Sequence, residues 1–268
     1  MRPGILFSSP ENHLLATLFF CVAMLVGPTA LADDDIEQAA APLYVKLSTG
    51  LDFSRGDYGL DDNTSLYYFP FSVTFDYQRF RMRAALPILV SSGPTQINET
   101  NDVTASGQTR GIGQLQLDFS YLFEPADEAV PHLEIAAKVS APTESRRDLG
   151  TGLWAFALQA EMFKQSGRFT PYLNAGRKFY ESCGCSRSLR DRFFASAGVT
   201  YEWTSNLSVG IGYDWLQAAR RGTPDSLEVV PYALYRLSDR WSVGPYAVIG
   251  LSNGSPDYGF GFSLSVRQ

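Results

Sequence analysis

Near its C-terminal end the chain repeats one pattern. Leu207, Val209, Ile211, Tyr213 and Trp215 alternate with Ser208, Gly210, Gly212 and Asp214. The same period of two runs from Trp241 to Ser252, from Tyr258 to Val266 and from Leu115 to Phe123. In an extended strand successive side chains point to opposite faces, so each segment has one apolar face and one small or polar face. Twelve such segments can be drawn, near 43–54, 65–78, 80–91, 111–123, 130–141, 153–165, 169–180, 192–203, 206–217, 226–237, 240–252 and 257–267. Each exceeds the ~9–11 residues that a tilted strand needs to cross the hydrocarbon of a membrane.

The links between the segments alternate in character. Short links follow the second, eighth and tenth (Arg79, Thr204-Ser205 and Ser238-Asp239). Modest links with Pro125 and Gly167 follow the fourth and sixth, and longer polar links follow the rest, the longest being Ser92 to Arg110. Short turns at one end, long loops at the other and an even strand number are marks of an outer-membrane barrel. The expected fold is all-β: a transmembrane antiparallel up-and-down β-barrel of about 12 strands over residues 43–268. Both termini are then periplasmic, and the loops near 55–64, 92–110 and 181–191 face outward. A soluble sandwich also alternates, but it turns its apolar face inward and charges the other. Here charged residues are only 19% of the chain, and the non-apolar face is mostly Ser, Gly, Thr, Gln and Tyr. Aromatics gather near strand ends, as in Phe75 and Tyr77, Tyr121 and Phe123, Tyr201 and Trp203, which fits interfacial girdles.

The start of the chain reads as an address. Arg2 gives a positive n-region, Leu14 to Val26 an apolar core, and Ala30-Leu31-Ala32 a small-residue cleavage site before Asp33. Residues 1–32 are expected to be a cleaved signal peptide and 33–42 a short periplasmic segment, a candidate plug. Beyond residue 32 no apolar run reaches the ~18 residues of a membrane helix. The net charge of −6, without a long basic run, argues against nucleic acid as a partner. The expected partners are outer-membrane lipid and lipopolysaccharide, the barrel-insertion machinery and a small-molecule solute.

Specific residues carry a family resemblance. The run Tyr235-Arg236-Leu237-Ser238-Asp239-Arg240-Trp241-Ser242-Val243, with Ser252-Asn253-Gly254-Ser255-Pro256-Asp257-Tyr258-Gly259, resembles the outer-membrane transporter family named for the meta pathway of phenol degradation. Gly111-Ile112-Gly113, Ala141-Pro142-Thr143 and Leu149-Gly150-Thr151-Gly152 are similar to that family too. The resemblance covers roughly residues 65–268 and implies a barrel handling small, often hydrophobic compounds, with no catalytic residue. Two positions depart from the family pattern: Gln114 stands where Asp is usual after Gly-x-Gly, and Glu144 where Gly is usual after Pro-Thr. The chain also ends Val266-Arg267-Gln268, without the terminal aromatic that insertion machinery reads in most such barrels.

No enzymatic or cofactor motif emerges. An outer-membrane lipid-modifying enzyme needs His with Ser or Asp. Of two histidines, His13 leaves with the signal, and His132 shares a strand face with Glu134 but with no serine at matching spacing. Cys183-Gly184-Cys185 is a candidate local disulfide in an oxidising compartment, with free or intermolecular thiols and a soft metal as alternatives. No catalytic residue, cofactor or metal is expected.

The polar face carries charges of both signs. Lys46, Asp52, Asp76, Arg81, Arg83, Asp118, Glu134, Lys138, Glu161, Glu202, Asp214, Glu228, Arg236 and Arg267 are expected to line the lumen, because each would be costly toward lipid. They read as an ion-pair network or as a selectivity filter. A serine in place of Gly210 is expected to be tolerated on that face. Arg146, Arg147, Arg187, Arg190, Arg192, Arg220 and Arg221 fall in or beside three exterior loops. They suit lipopolysaccharide phosphates, or pairing with Glu144, Asp148, Asp191 and Asp225 in the same loops. The function these features favour is a passive channel for small, hydrophobic or aromatic compounds. The alternatives are a non-transporting scaffold or adhesin-like barrel and, behind it, a lipid-modifying enzyme.

Overall fold

The structure, a computed structural model, describes residues 43–58, 63–97, 103–125, 127, 129–146, 149–182, 189–220 and 222–268. Thirteen strands form one antiparallel sheet: β1 (Tyr44–Gly56), β2 (Thr64–Tyr77), β3 (Phe80–Ile97), β4 (Val103–Ile112), β5 (Leu115–Phe123), β6 (His132–Ala141), β7 (Ala155–Phe163), β8 (Phe169–Tyr180), β9 (Arg192–Glu202), β10 (Leu207–Leu216), β11 (Ser226–Arg236), β12 (Trp241–Gly250) and β13 (Tyr258–Arg267). The expected signal peptide, the segment 33–42 and the pair Cys183 and Cys185 lie outside the described residues.

The sheet closes on itself. β1 pairs with β2 on one side and with β13 on the other, from Lys46 opposite Arg267 to Arg55 opposite Tyr258. Closure removes the open edge that a flat sheet would leave unsatisfied in lipid.

The fourth stave differs from the sequence expectation. A strand was expected over 111–123 after a loop over 92–110. Instead β3 runs on to Ile97, and two strands share its far edge. Ile88 to Ile97 pair with β4, and Phe80 to Ala85 pair with β5. β4 and β5 are therefore one broken stave, and the barrel has twelve staves. Gly113 N donates to Pro87 O at 2.9 Å across the break. The polar, glycine-bearing stretch 92–110 reads as a loop because its turn residues hide an extended hairpin that rises beyond the rest of the wall.

The faces follow the alternation. Leu47, Phe71, Leu86, Ile135, Leu158, Leu173, Ile211 and Ile249 are exposed on the outer wall. At the end that carries the termini, this belt is bordered by Phe80, Tyr121, Phe123, Phe169, Tyr201 and Trp203. Their rings touch in sequence: Phe80 to Tyr121 at 4.8 Å, Tyr121 to Phe123 at 4.7 Å, Phe169 to Tyr201 at 4.8 Å. Trp154, Phe193, Tyr213 and Tyr258 stand exposed toward the long-loop end. Two aromatic girdles around an aliphatic band are what a membrane-spanning barrel presents to lipid.

Candidate functional site: the barrel interior

The interior has three parts: a charged wall, a hydroxyl wall and an inward-folded segment. The charged wall lies on β1 to β7 toward the terminal end, where the pleat places alternate charges side by side. Arg81 Nε donates to Asp76 Oδ1 at 2.6 Å, and its guanidinium reaches Glu134 at 3.7 Å. Arg83 pairs with Asp118 at 3.7 Å. Asp118 stands opposite Lys138, and Glu134 opposite Glu161. Lys46 lies between Thr74 of β2 and Arg267 of β13. Arg267 also covers the Tyr44 ring at 4.2 Å. The Arg81–Asp76, Arg81–Glu134 and Arg83–Asp118 pairs tie neighbouring staves together, while Glu134 opposite Glu161 and Lys46 opposite Arg267 set like charges side by side. Glu202 and Arg236 sit at the terminal mouth, opposite Ser208 and Ser242, and Arg236 is exposed there.

The opposite wall, on β8 to β13, adds tyrosines to its charges. Its tyrosines lie flat on glycines: a Cβ at Gly210 would meet Tyr232 Cζ at 2.3 Å, and one at Gly198 would meet Tyr172 Oη at 2.6 Å. Tyr232 Oη shares a hydrogen bond with Thr200 Oγ1 at 2.7 Å. Gly210 is thus a seat for a ring and not merely a small polar-face residue, so a serine there has to displace Tyr232. Asp214 stands opposite Glu228 on this wall, and Glu228 accepts from Ser226 Oγ at 2.7 Å. Asp52 is buried on β1 nearby.

The third part is the segment between β6 and β7. Pro142 ends β6, having no N–H to continue the ladder. Thr143 Oγ1 then accepts from Leu115 N at 2.8 Å, and Ser145 Oγ accepts from Ile112 N at 2.9 Å. These hydroxyls satisfy backbone groups at the break between β4 and β5. The chain turns inward after that. Leu149 is wholly buried (0% exposed) against Leu66, Tyr68 and Leu89, which face the interior from β2 and β3. Gln114 Nε2 donates to Thr151 Oγ1 at 3.0 Å, and Gly152 N donates to Glu144 Oε1 at 2.5 Å. A Cβ at Gly150 would strike both Glu144 and Gln114. The two residues that depart from the family pattern therefore clasp the same inward segment.

Other candidates fall elsewhere. Arg192 was expected on the outer rim, but it is only 1% exposed and faces the interior; the strand continues its alternation one residue earlier than a rim position requires. Arg146 is exposed, and Arg190 Nε donates to Ala218 O at 2.7 Å, which ties the loop before β9 to the loop after β10. Arg147, Arg187 and Arg221 lie outside the described residues. His132 stacks on Phe163 with rings 5.1 Å apart and 9° between planes, and no hydroxyl or carboxylate hydrogen-bonds its Nδ1 among the described residues. Among those residues no group of His, Cys, Asp and Glu is arranged to hold a metal. Sequence reading does not single out Lys178, although the alternation Asn174, Gly176, Lys178, Tyr180 puts it on the inner face. Adjacent Arg177 masks that signal, since one of two neighbouring cations must face outward.

The chain matches, over residues 31–268, the family described as "Putative MetA-pathway of phenol degradation". The chain belongs to this family. No functionally curated protein matches it. Among solved structures it is similar to the COG4313 outer membrane channel from Pseudomonas putida F1, with a TM-score of 0.66 and 16% identity over 88% of this chain and 98% of that one. It is also similar to the NanC porin, with a TM-score of 0.50 and 11% identity over 82% of this chain and 98% of that one. At such identities the likeness is one of fold, and it agrees with the closed twelve-stave wall.

Proposed function

We propose that the protein is a passive outer-membrane conduit for small compounds, with hydrophobic and aromatic solutes as its main cargo. The observation that carries the reading is the composition of the interior, where ion pairs on β1 to β7 and tyrosine hydroxyls on β8 to β13 give polar walls that small solutes can pass. The inward segment held by Gln114 and Glu144 sets the constriction. Belonging to the phenol-degradation family and sharing the fold of an outer-membrane channel support the same reading. No catalysis is assigned, since His132 is engaged with a phenyl ring and not with a nucleophile.

The cleaved signal peptide 1–32 and the barrel-insertion machinery bring the chain to the outer membrane in this account. Its long-loop end then faces the exterior. Arg146, Arg190 and Arg220, with Arg147, Arg187 and Arg221, contact lipopolysaccharide phosphates there, and Arg192 takes no part.

Proteoliposomes carrying the purified protein test the conduit. They should admit small phenols and aromatic acids faster than protein-free vesicles, and exclude solutes the size of a trisaccharide. Equal rates with and without protein would leave the scaffold reading in place of the conduit.

A further inference from the structure

We propose that the outer wall carries a lipid A subsite at the long-loop end, where the Arg177 guanidinium takes a phosphate of a lipopolysaccharide molecule in the exterior leaflet. The inference deepens the rim reading above and rests on it only for which end of the barrel faces the exterior.

From β5 to β13 the outward face of the wall is uncharged among the described residues, with Arg177 as the single exception. Its neighbour Lys178 turns inward, while the Arg177 side chain is 45% exposed. Eight residues of β8 separate it from Phe169, in the aromatic girdle at the terminal end. In a tilted strand that length climbs about 20 Å, most of the height of an apolar band about 25 Å tall. Arg177 therefore stands level with the outer girdle. An arginine there costs little, whereas one at mid-membrane is expensive.

The guanidinium is held from three sides. The Phe179 and Phe193 rings lie 4.9 Å and 5.1 Å from it. Asp191 accepts from its Nη2 at 3.0 Å, and Tyr180 N donates to the same carboxylate at 3.3 Å. That is the one hydrogen bond Arg177 donates among the described residues. A guanidinium has five N–H groups, so most of this fork is left for the headgroup layer. The rings and the carboxylate fix its orientation beforehand, which lowers the entropy lost on binding.

The surrounding wall suits acyl chains. Leu158 and Phe193 flank Arg177 in register, and both are exposed. On its membrane side Ala160, Ala175 and Ala195 stand opposite one another on β7, β8 and β9, between Ile135 and Trp215. Their small side chains leave a low apolar patch beneath the cation. A phosphate on Arg177 and acyl chains over this patch belong to one amphiphile, with its anionic head at the exterior border of the hydrocarbon. Lipid A, the phosphorylated anchor of lipopolysaccharide, has that form. A free phosphate would leave the patch unused, and a phospholipid of the periplasmic leaflet has its head at the other end.

The test is native mass spectrometry of the intact barrel in detergent, titrated with lipid A, dephosphorylated lipid A and phosphatidylglycerol. Lipid A should bind about tenfold or more tightly than either of the others. Arg177→Gln and Asp191→Asn remove the same exposed ion pair, so a pair that only braces the wall predicts the same small effect from both. The subsite predicts different ones. Arg177→Gln should weaken lipid A about tenfold. Asp191→Asn removes a competing anion and should not weaken it, and both barrels should stay heat-modifiable. Equal lipid A binding by wild type and Arg177→Gln, or equal weakening by the two variants, would overturn the subsite. So would dephosphorylated lipid A that binds as tightly as lipid A. Phosphatidylglycerol binding as tightly would overturn the assignment to lipopolysaccharide. Weakening by Arg146→Gln with Arg220→Gln, but not by Arg177→Gln, refutes the subsite and leaves the rim contacts. The reverse refutes the rim contacts alone. Neither outcome depends on whether the barrel conducts.

Discussion

Gly210 and Tyr232 divide one volume between them. The missing Cβ of the glycine is where the phenol ring lies, and the ring's hydroxyl is fixed by Thr200. Gly210→Ser is therefore expected to push Tyr232 off its seat and loosen the bond to Thr200. The expected loss is about 1–3 kcal/mol, the range for overpacking a filled site, measurable by urea unfolding in lipid vesicles. Its neighbour Ile211 faces lipid at the middle of β10, and Ile211→Arg is expected to cost about 2–4 kcal/mol there. If Gly210→Ser proves neutral while Ile211→Arg is costly, the ring-on-glycine seat is wrong but the face assignment stands. The assignment of residues to faces was legible in the sequence, because a period of two leaves no freedom once one face is known. That is why Lys46, Asp76, Arg81 and Glu134 could be placed on the inner face from the alternation alone. What fills the space above an inner glycine was not legible. It depends on the register that sets Tyr232 of β11 opposite Gly210 of β10.

At the scale of elements, the alternation gave the staves but not the break between β4 and β5. Gly113-Gln114 sits inside what reads as one strand plus a loop, and only the pairing of both halves with β3 shows otherwise. The inward course of the segment after Pro142 was equally hidden, since Thr143, Ser145 and Gly150 are ordinary loop residues by composition. The structure makes the two departures from the family pattern into a clasp: Gln114 holds Thr151, and Glu144 holds Gly152. Replacing both by alanine is expected to free the segment and raise single-channel conductance several-fold, with the barrel's heat-modifiable mobility unchanged. Wild-type conductance in the double variant would show that the segment does not set the constriction. The β3–β4 hairpin gives a separate test of orientation. An epitope tag at Gly107 should be reachable by antibody on whole cells, and one at Ser205, in the short turn between β9 and β10, only after permeabilisation. Surface labelling at Ser205 would invert the barrel.

The whole molecule presents a lipid-facing belt, a charged rim and an interior whose two walls differ. Exposed ion pairs at the rim are worth only ~0–1 kcal/mol each, so the rim arginines are not needed to hold the loops. Replacing Arg146 and Arg220 together with Gln is expected to reduce lipopolysaccharide co-purification while leaving the melting temperature within a few degrees of wild type. Unchanged co-purification would assign those residues to pairing among the loops. Fold class and membrane faces could be read from the chain because they rest on local periodicity. The inward segment could not, because it joins Leu149 to Leu66, Tyr68 and Leu89 across more than fifty residues of sequence. The central claim is that this narrowed interior conducts. Single-channel recording of the purified protein in planar bilayers tests it most directly. The account predicts small, discrete conductance steps that aromatic acids transiently block; a membrane that stays silent at every voltage, with correctly folded barrel inserted, would contradict it.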